Sequence, residues 1–63
     1  MKKKFDTFIL KKEINKKLPK GIKGVILDKY DNSHFEVEFV KKNGKNIEVD
    51  GKSTFIITKD FIN

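Results

Sequence analysis

The chain has 63 residues, with 15 lysines, no arginine, no cysteine and a formal net charge of +6. A chain this short lies near the lower size limit for independent folding, so we expect one domain, residues 1–63, with a small core. The lack of cysteine excludes disulfides, thiolate metal sites and a cysteine nucleophile, and fits a reducing compartment.

The charge is distributed unevenly along the chain. The first 29 residues hold ten lysines against three acidic residues, whereas the remainder holds five lysines against six acids. This asymmetry predicts an oriented positive patch and an anionic partner. A compositional bias, with lysine as an ordinary solubilising residue on strand edges, is the alternative explanation.

The N-terminal segment resembles the start of a signal peptide without completing one. Residues 1–4 read Met-Lys-Lys-Lys, but the apolar run that follows, residues 8–10, is too short for a signal sequence or a membrane span. We therefore expect a soluble, cytoplasmic protein that does not bind membranes.

The first predicted strand covers residues 5–10, and a lysine-rich loop, residues 11–21, follows it. Ile14 and Leu18 are four residues apart, as on one face of a helical turn, but Pro19 comes too soon for a helix. We expect a loop that places Leu18 against the core.

Residues 23–30 predict the second strand, residues 31–33 a turn, and residues 34–41 the clearest strand of the chain. The third strand alternates between apolar and polar side chains, so one face is expected in the core and the other in solvent. The apolar positions are Phe35, Val37 and Phe39; the polar ones are His34, Glu36 and Glu38.

The next hairpin can be assigned a register from its side chains. A two-residue turn would place Phe39 opposite Glu48, a charge on the buried face. A three-residue loop, residues 42–44, with Gly44 in a left-handed bulge, places Phe39 opposite Ile47 instead. We prefer the three-residue loop, which also pairs Val37 with Val49.

A last hairpin is marked by the turn dipeptide at residues 50–51. Its register stays open, because residues 55–57 are all apolar. Residues 58–60 predict a short turn of 3₁₀ type, after which Phe61 and Ile62 close the structure.

Turn signals set between short β-rich segments are typical of a small all-β barrel or meander. The long first loop is usual in SH3-like barrels. The residues thus predict a small all-β barrel or meander whose long lysine-rich first loop resembles that of SH3-like barrels.

Catalytic chemistry has little support in the sequence. His34 is the only histidine, has no further ligands at metal-binding spacing, and is best explained as a solvated side chain. Glu36 and Glu38 lie one strand repeat apart, which a wet strand face with lysine partners explains better than a catalytic carboxylate pair. We expect no enzymatic activity, no metal and no cofactor.

Two candidate binding surfaces remain. One is an acidic strand face, formed by Glu36, Glu38, Glu48 and Asp50. The other is a basic loop with one aromatic side chain for stacking, formed by Lys11, Lys12, Lys16, Lys17, Lys20, Lys23 and Tyr30. Without arginine, nucleic-acid binding by the basic loop would be non-specific and sensitive to salt.

Three segments together resemble an uncharacterised family of short bacterial proteins. They are residues 4–10 (KFDTFIL), 18–26 (LPKGIKGVI) and 35–39 (FEVEF), whereas residues 54–58 and the high lysine content depart from the family pattern. The resemblance implies a five-stranded SH3-like barrel. It also implies the small partner of a toxin–immunity or toxin–antitoxin pair, beside nuclease-type toxins.

The resulting functional prediction is an immunity or antitoxin protein that neutralises a cognate toxin by covering its active site. A nuclease cleft is usually basic and would suit the acidic strand face, whereas an acidic cleft would suit the basic loop. The alternative is a non-specific nucleic-acid-binding barrel.

Overall fold

A computed structural model describes residues 3–62. The described chain is all-β, with four antiparallel strands in one sheet of order β1-β2-β3-β4. The strands are β1 (Thr7–Ile9), β2 (Lys23–Lys29), β3 (His34–Val40) and β4 (Phe55–Thr58), and a 3₁₀ helix spans Lys59–Phe61. The second and third strands each end one residue earlier than the sequence predicts.

The core lies on one face of this sheet because the strands alternate. In β3, Phe35, Val37 and Phe39 are buried, as predicted, while His34 is exposed. The remaining buried side chains come from the other strands and the loops that cover the sheet. They are Phe8, Leu10, Leu18, Ile26, Ile47, Ile57 and Ile62.

The lysine-rich loop after β1 places Leu18 in the core, which confirms the prediction. Asn15 organises this loop, since its Oδ1 accepts hydrogen bonds from the backbone N–H of Lys17 at 2.9 Å and of Leu18 at 3.1 Å. This is the Asx-turn geometry that replaces a helix here. Leu18 is thereby held inward while neighbouring lysines stay in solvent.

The first strand is shorter than the predicted residues 5–10. Phe5 has φ 67° and is largely exposed, so it lies in a turn before the strand. A hydrogen bond from the Asp6 N–H to the Lys3 carbonyl closes that turn at 3.0 Å. A left-handed backbone at Phe5 is incompatible with a strand, which begins at Thr7.

The hairpin after β3 has the predicted three-residue loop. Gly44 is left-handed, with φ 85°, and the Ile47 N–H donates to the Phe39 carbonyl at 2.9 Å. The predicted pairing of Val37 with Val49 is wrong, because Val37 pairs with Phe55 of β4.

The segment between Ile47 and β4 explains the missing fifth strand. Asp50 and Gly51 both have positive φ, 52° and 79°, and form a tight turn closed by a bridge between Val49 and Lys52. This turn leads the chain away from β3, so that β4 takes the place beside β3. The described residues therefore form four strands, and a closed five-stranded barrel is not confirmed.

The last strand settles the register that the sequence left open. Ile57 is buried and Phe55 is partly buried against the core, whereas Ile56 is exposed. A 3₁₀ helix follows, close to the predicted position, and Ile62 is buried after it.

Within residues 3–62, no helix is long and apolar enough to cross a membrane.

Candidate functional site

The solvent face of the sheet carries two carboxylates at its centre. Glu36 and Glu38 project from β3 on the side opposite the core. Glu38 pairs with Val25 of β2, and Glu36 lies between Asp28 of β2 and Ile56 of β4. Strand geometry therefore places both carboxylates on one outer face, with neighbouring strands on either side.

Each carboxylate is held by a neutral donor. The Tyr30 hydroxyl donates to Glu36 Oε1 at 2.8 Å, and the Asn46 side-chain amide donates to Glu38 Oε2 at 2.7 Å. Both donors lie in turns that are anchored to the sheet. The Tyr30 N–H donates to the His34 carbonyl, and Asn46 forms a β-bridge with Val40. The two negative charges are thus fixed in position without being neutralised.

The contact with Glu36 also changes the chemistry of Tyr30. Its hydrogen bond to the carboxylate raises the pKa of the phenol, and desolvation and the negative charges of Glu36 and Asp28 add to this effect. Tyr30 was predicted as a stacking platform. It is exposed, but its hydroxyl is committed to the acidic face.

Exposed apolar side chains share this outer face. Ile9 in β1 is 57% exposed and Ile56 in β4 is 64% exposed, and they occupy opposite edges of the sheet. Single exposed apolar residues are ordinary. Together with Tyr30 and the ordered carboxylates, they give the face the mixed apolar and charged character of a protein interface.

The other two predicted acidic residues are not on this face. Glu48 lines a small surface pocket of about 260 Å³ together with Lys17, Lys41 and Ile47. Asp50 occupies the tight turn before β4. The structure therefore divides the predicted acidic set into an ordered pair, Glu36 and Glu38, and two separate loop residues.

One lysine of the predicted basic loop has a structural partner. Lys12 Nζ lies 2.6 Å from Asp60 Oδ2 and 5.4 Å from the centroid of the Phe61 ring. The hydrogen bond from Lys12, followed by that from the Thr58 hydroxyl, lowers the pKa of Asp60 to about 2. Lys12 therefore links the first loop to the 3₁₀ helix. The other five lysines of the predicted set are exposed: Lys11, Lys16, Lys17, Lys20 and Lys23.

A second lysine cluster was missed by the sequence analysis. Lys23, Lys41 and Lys42 line a groove of about 300 Å³ whose floor includes Ile22 and Ile47. Lys41 also lines the neighbouring pocket that contains Lys17. Lys23 pairs with Val40, which brings Lys23 beside Lys41 and Lys42. The strand register could have predicted this cluster, whereas counting charges along the chain could not.

His34 lies exposed at the start of β3, as predicted. Its Nδ1 is 3.0 Å from each carboxylate oxygen of Asp31. This contact, followed by the hydrogen bond from the Ser33 N–H, lowers the pKa of Asp31. Over residues 3–62, no group of three or more His, Cys, Asp or Glu side chains is arranged to hold a metal ion.

Comparison with known proteins gives one match. The family model described as "Domain of unknown function (DUF4926)" matches residues 4–51, which is most of the chain. No curated protein and no solved structure matches. The match covers all three segments on which the family resemblance was based, and it says nothing about a toxin partner.

Proposed function

The chain belongs to the DUF4926 family, and we propose that it is a non-catalytic binding protein of the immunity or antitoxin type. It binds a protein toxin through the outer face of its sheet and covers the active site of that toxin. The observation that carries the proposal is the pair of carboxylates at Glu36 and Glu38, each ordered by a neutral donor on an exposed face.

The order of these carboxylates supports binding because it lowers the entropic cost of forming a complex. A free glutamate loses rotamer freedom when it is immobilised at an interface. Glu36 and Glu38 have already lost part of that freedom to Tyr30 and Asn46. A preorganised charge of this kind strengthens an interface and selects its partner.

The negative charge of this face indicates the chemistry of the partner. Two fixed negative charges beside exposed Ile56 and Tyr30 fit a cleft that is basic with an apolar margin. A nuclease-type toxin offers such a cleft, because it must bind a polyanion. Glu48 is less suited to this role, since it shares its pocket with Lys17 and Lys41.

An SH3-like barrel is part of the same proposal. The sheet order accounts for four strands, and the Lys11 N–H donates to the Phe61 carbonyl at 2.9 Å. This bond joins the chain that leaves β1 to the 3₁₀ helix that follows β4. It supports a barrel-like closure at that point, which would give the rigidity that an inhibitor requires.

The proposal is tested by affinity capture at physiological salt after nuclease treatment, with the double variant Glu36→Gln/Glu38→Gln. Glutamine keeps a hydrogen-bond acceptor but removes the charge. We expect one stoichiometric protein with the wild type and its loss with the variant. Glu13→Gln/Glu48→Gln is the matched control, because it removes two charges from exposed loop positions.

The captured protein is then expressed alone and together with this chain. Immunity predicts growth arrest in the first case and recovery in the second. Capture that is equal for both double variants would contradict the assigned face. A captured protein that is harmless when expressed alone would contradict the immunity function.

Non-specific nucleic-acid binding is the second candidate, and the groove lined by Lys23, Lys41 and Lys42 favours it. Binding of single-stranded DNA should weaken steeply with salt. Lys41→Glu/Lys42→Glu should abolish it, while Lys4→Glu/Lys59→Glu, an equal charge change away from the groove, should retain most of it. Salt-independent binding would exclude this function.

A further inference from the structure

The outer edge of β4 presents unpaired backbone groups. The Lys59 N–H donates to the Ser33 carbonyl at 2.9 Å. With the register of β3 and β4, this bond identifies which residue pairs of the ladder are hydrogen-bonded. In an antiparallel ladder, bonded residues alternate along each strand. Phe55 and Ile57 therefore bond to β3. The two other residues of β4, Ile56 and Thr58, direct their N–H and C=O groups away from the sheet.

This edge strand is short, but it carries none of the charges or prolines that usually prevent strand pairing. Residues 54–58, TFIIT, contain no charge, proline or glycine, and the Ile56 side chain is exposed. Among residues 3–62, no backbone group is bonded to the outward side of Ile56. A groove of about 760 Å³ runs along the edge, with Ile14 and Glu36 among its lining residues.

We propose that β4 pairs with β4 of a second copy of this chain, antiparallel about Ile56. The segment is nearly palindromic, so this register places like side chains together. Ile56 meets Ile56 of the second copy, and Thr54 meets Thr58. Because Ile56 directs both backbone groups outward, the central pair exchanges two N–H···O=C bonds. Both copies contribute the same strand to this isologous contact, so the assembly is complete at two copies.

The charges that flank the segment lie outside the pair. Lys52 is in the turn before β4, and Asp60 is in the 3₁₀ helix, where it is bonded to Lys12. Like charges on neighbouring strands oppose pairing, and none meet within residues 54–58, where each side chain on the outer face meets one of the same kind. The edge is thus complementary to itself.

The overall charge acts in the other direction. Each copy carries a net charge of +6, so two copies repel each other at low ionic strength. Salt screens this repulsion with a Debye length of about 8 Å at physiological ionic strength. We therefore expect the dimer to strengthen with added salt, which is the opposite of nucleic-acid binding.

Sedimentation equilibrium of the purified chain, without partner, tests the proposal over a range of concentration and salt. We expect a monomer–dimer equilibrium that shifts toward the dimer as salt rises. Ile56→Lys puts like charges at the centre of the pair and should raise the dissociation constant at least ~10-fold. Ile9→Lys is the matched control, since Ile9 is an isoleucine of similar exposure on the opposite edge.

A single-cysteine variant tests the register itself, because the natural chain has no cysteine. The Cα atoms of a bonded antiparallel pair lie about 5.5 Å apart, within the range that a disulfide spans. Ile56→Cys should therefore form a linked dimer under mild oxidation, while Ile9→Cys should not.

A chain that stays monomeric at every concentration overturns the proposal, as does equal cross-linking of both cysteine variants. Assembly beyond two copies would replace the closed pair with open-ended pairing of strands. Because these measurements use the isolated chain, their failure leaves the proposed toxin binding standing, and the absence of a toxin leaves the dimer standing.

Discussion

The Phe8 ring lies directly over Gly24, so a β-carbon on Gly24 would come within 2.3 Å of Phe8 Cζ. The two residues are paired across β1 and β2. Phe8 is buried and also packs edge-on against Phe39, with ring centroids 5.8 Å apart. The ring therefore cannot move aside freely, and β1 stays on the sheet because residue 24 has no side chain.

Gly24→Ala should therefore destabilise the fold by about 1–3 kcal/mol, the usual cost of overpacking a core. Urea unfolding followed by circular dichroism measures this change. In a Phe8→Leu background the same substitution should cost less, because the contact has been removed. Equal costs in the two backgrounds would show that the ring does not oppose the new methyl group.

Phe39→Ala should cost about 3–5 kcal/mol of the free energy of unfolding. Phe39 is fully buried near the C-terminal end of β3 and contacts the rings of both Phe8 and Phe55. A domain of this size has only a few kcal/mol of stability, so the variant should be largely unfolded at room temperature. A loss below about 1 kcal/mol in urea melts would contradict the core position of this strand face.

Gly44→Val should also destabilise, because a β-branched residue strongly resists the observed φ of 85°. Apart from Gly44 and its two chain neighbours, no heavy atom lies within 4 Å of the added β-carbon, so the effect comes from the backbone alone. Gly44→Asn is the control, since asparagine tolerates a left-handed backbone better. We expect a clear fall in the urea midpoint for valine and a smaller one for asparagine. An unchanged midpoint for valine would contradict the bulged loop.

Asp60 should make the stability depend on pH in the acid range. Its bond to Lys12 lowers the pKa from 3.8 to about 2, so the folded state binds the proton more weakly than the unfolded state. The stabilisation is fully present above pH 3.8 and is lost as the pH falls to about 2. Asp60→Asn removes this contribution.

The urea midpoints of wild type and Asp60→Asn measure this contribution. The wild type should be the more stable above pH 3.8, and the difference should close as the pH falls to about 2. A difference that stays constant over this range would show that the contact of Asp60 with Lys12 does not contribute through its charge.

Much of the fold follows from local patterns in the sequence. The alternation in β3 identifies its buried face, and the preference for an apolar residue opposite Phe39 identifies the three-residue loop. Both rules act over a few residues and need no tertiary information. The partner of Val37 was mispredicted because the choice between Val49 and Phe55 depends on a turn that redirects the chain. Both candidates are apolar, so side-chain pattern does not decide between them.

The candidate site was predictable only in part. Alternation places Glu36 and Glu38 in solvent, but the donors that order them, Tyr30 and Asn46, come from turns whose approach to the strand depends on hairpin geometry. Linear charge counting selected the first loop and missed Lys41 and Lys42, which the sheet brings beside Lys23. Strand pairing brings together charges that are far apart in the sequence, so a charge count along the chain does not predict where charges cluster on the surface.

Tyr30 gives a direct measure of the acidic face in solution. It is the only tyrosine, and the chain has no tryptophan, so the ultraviolet absorbance of its phenolate is unambiguous. Its pKa should lie above 10.0, because ionisation breaks the hydrogen bond to Glu36 and places two negative charges together. Glu36→Gln removes the charge and should lower the pKa toward 10.0, whereas Glu48→Gln should leave it unchanged. If wild type and Glu36→Gln titrate at the same pH, Tyr30 does not order Glu36, and the preorganised face on which the binding proposal rests is lost.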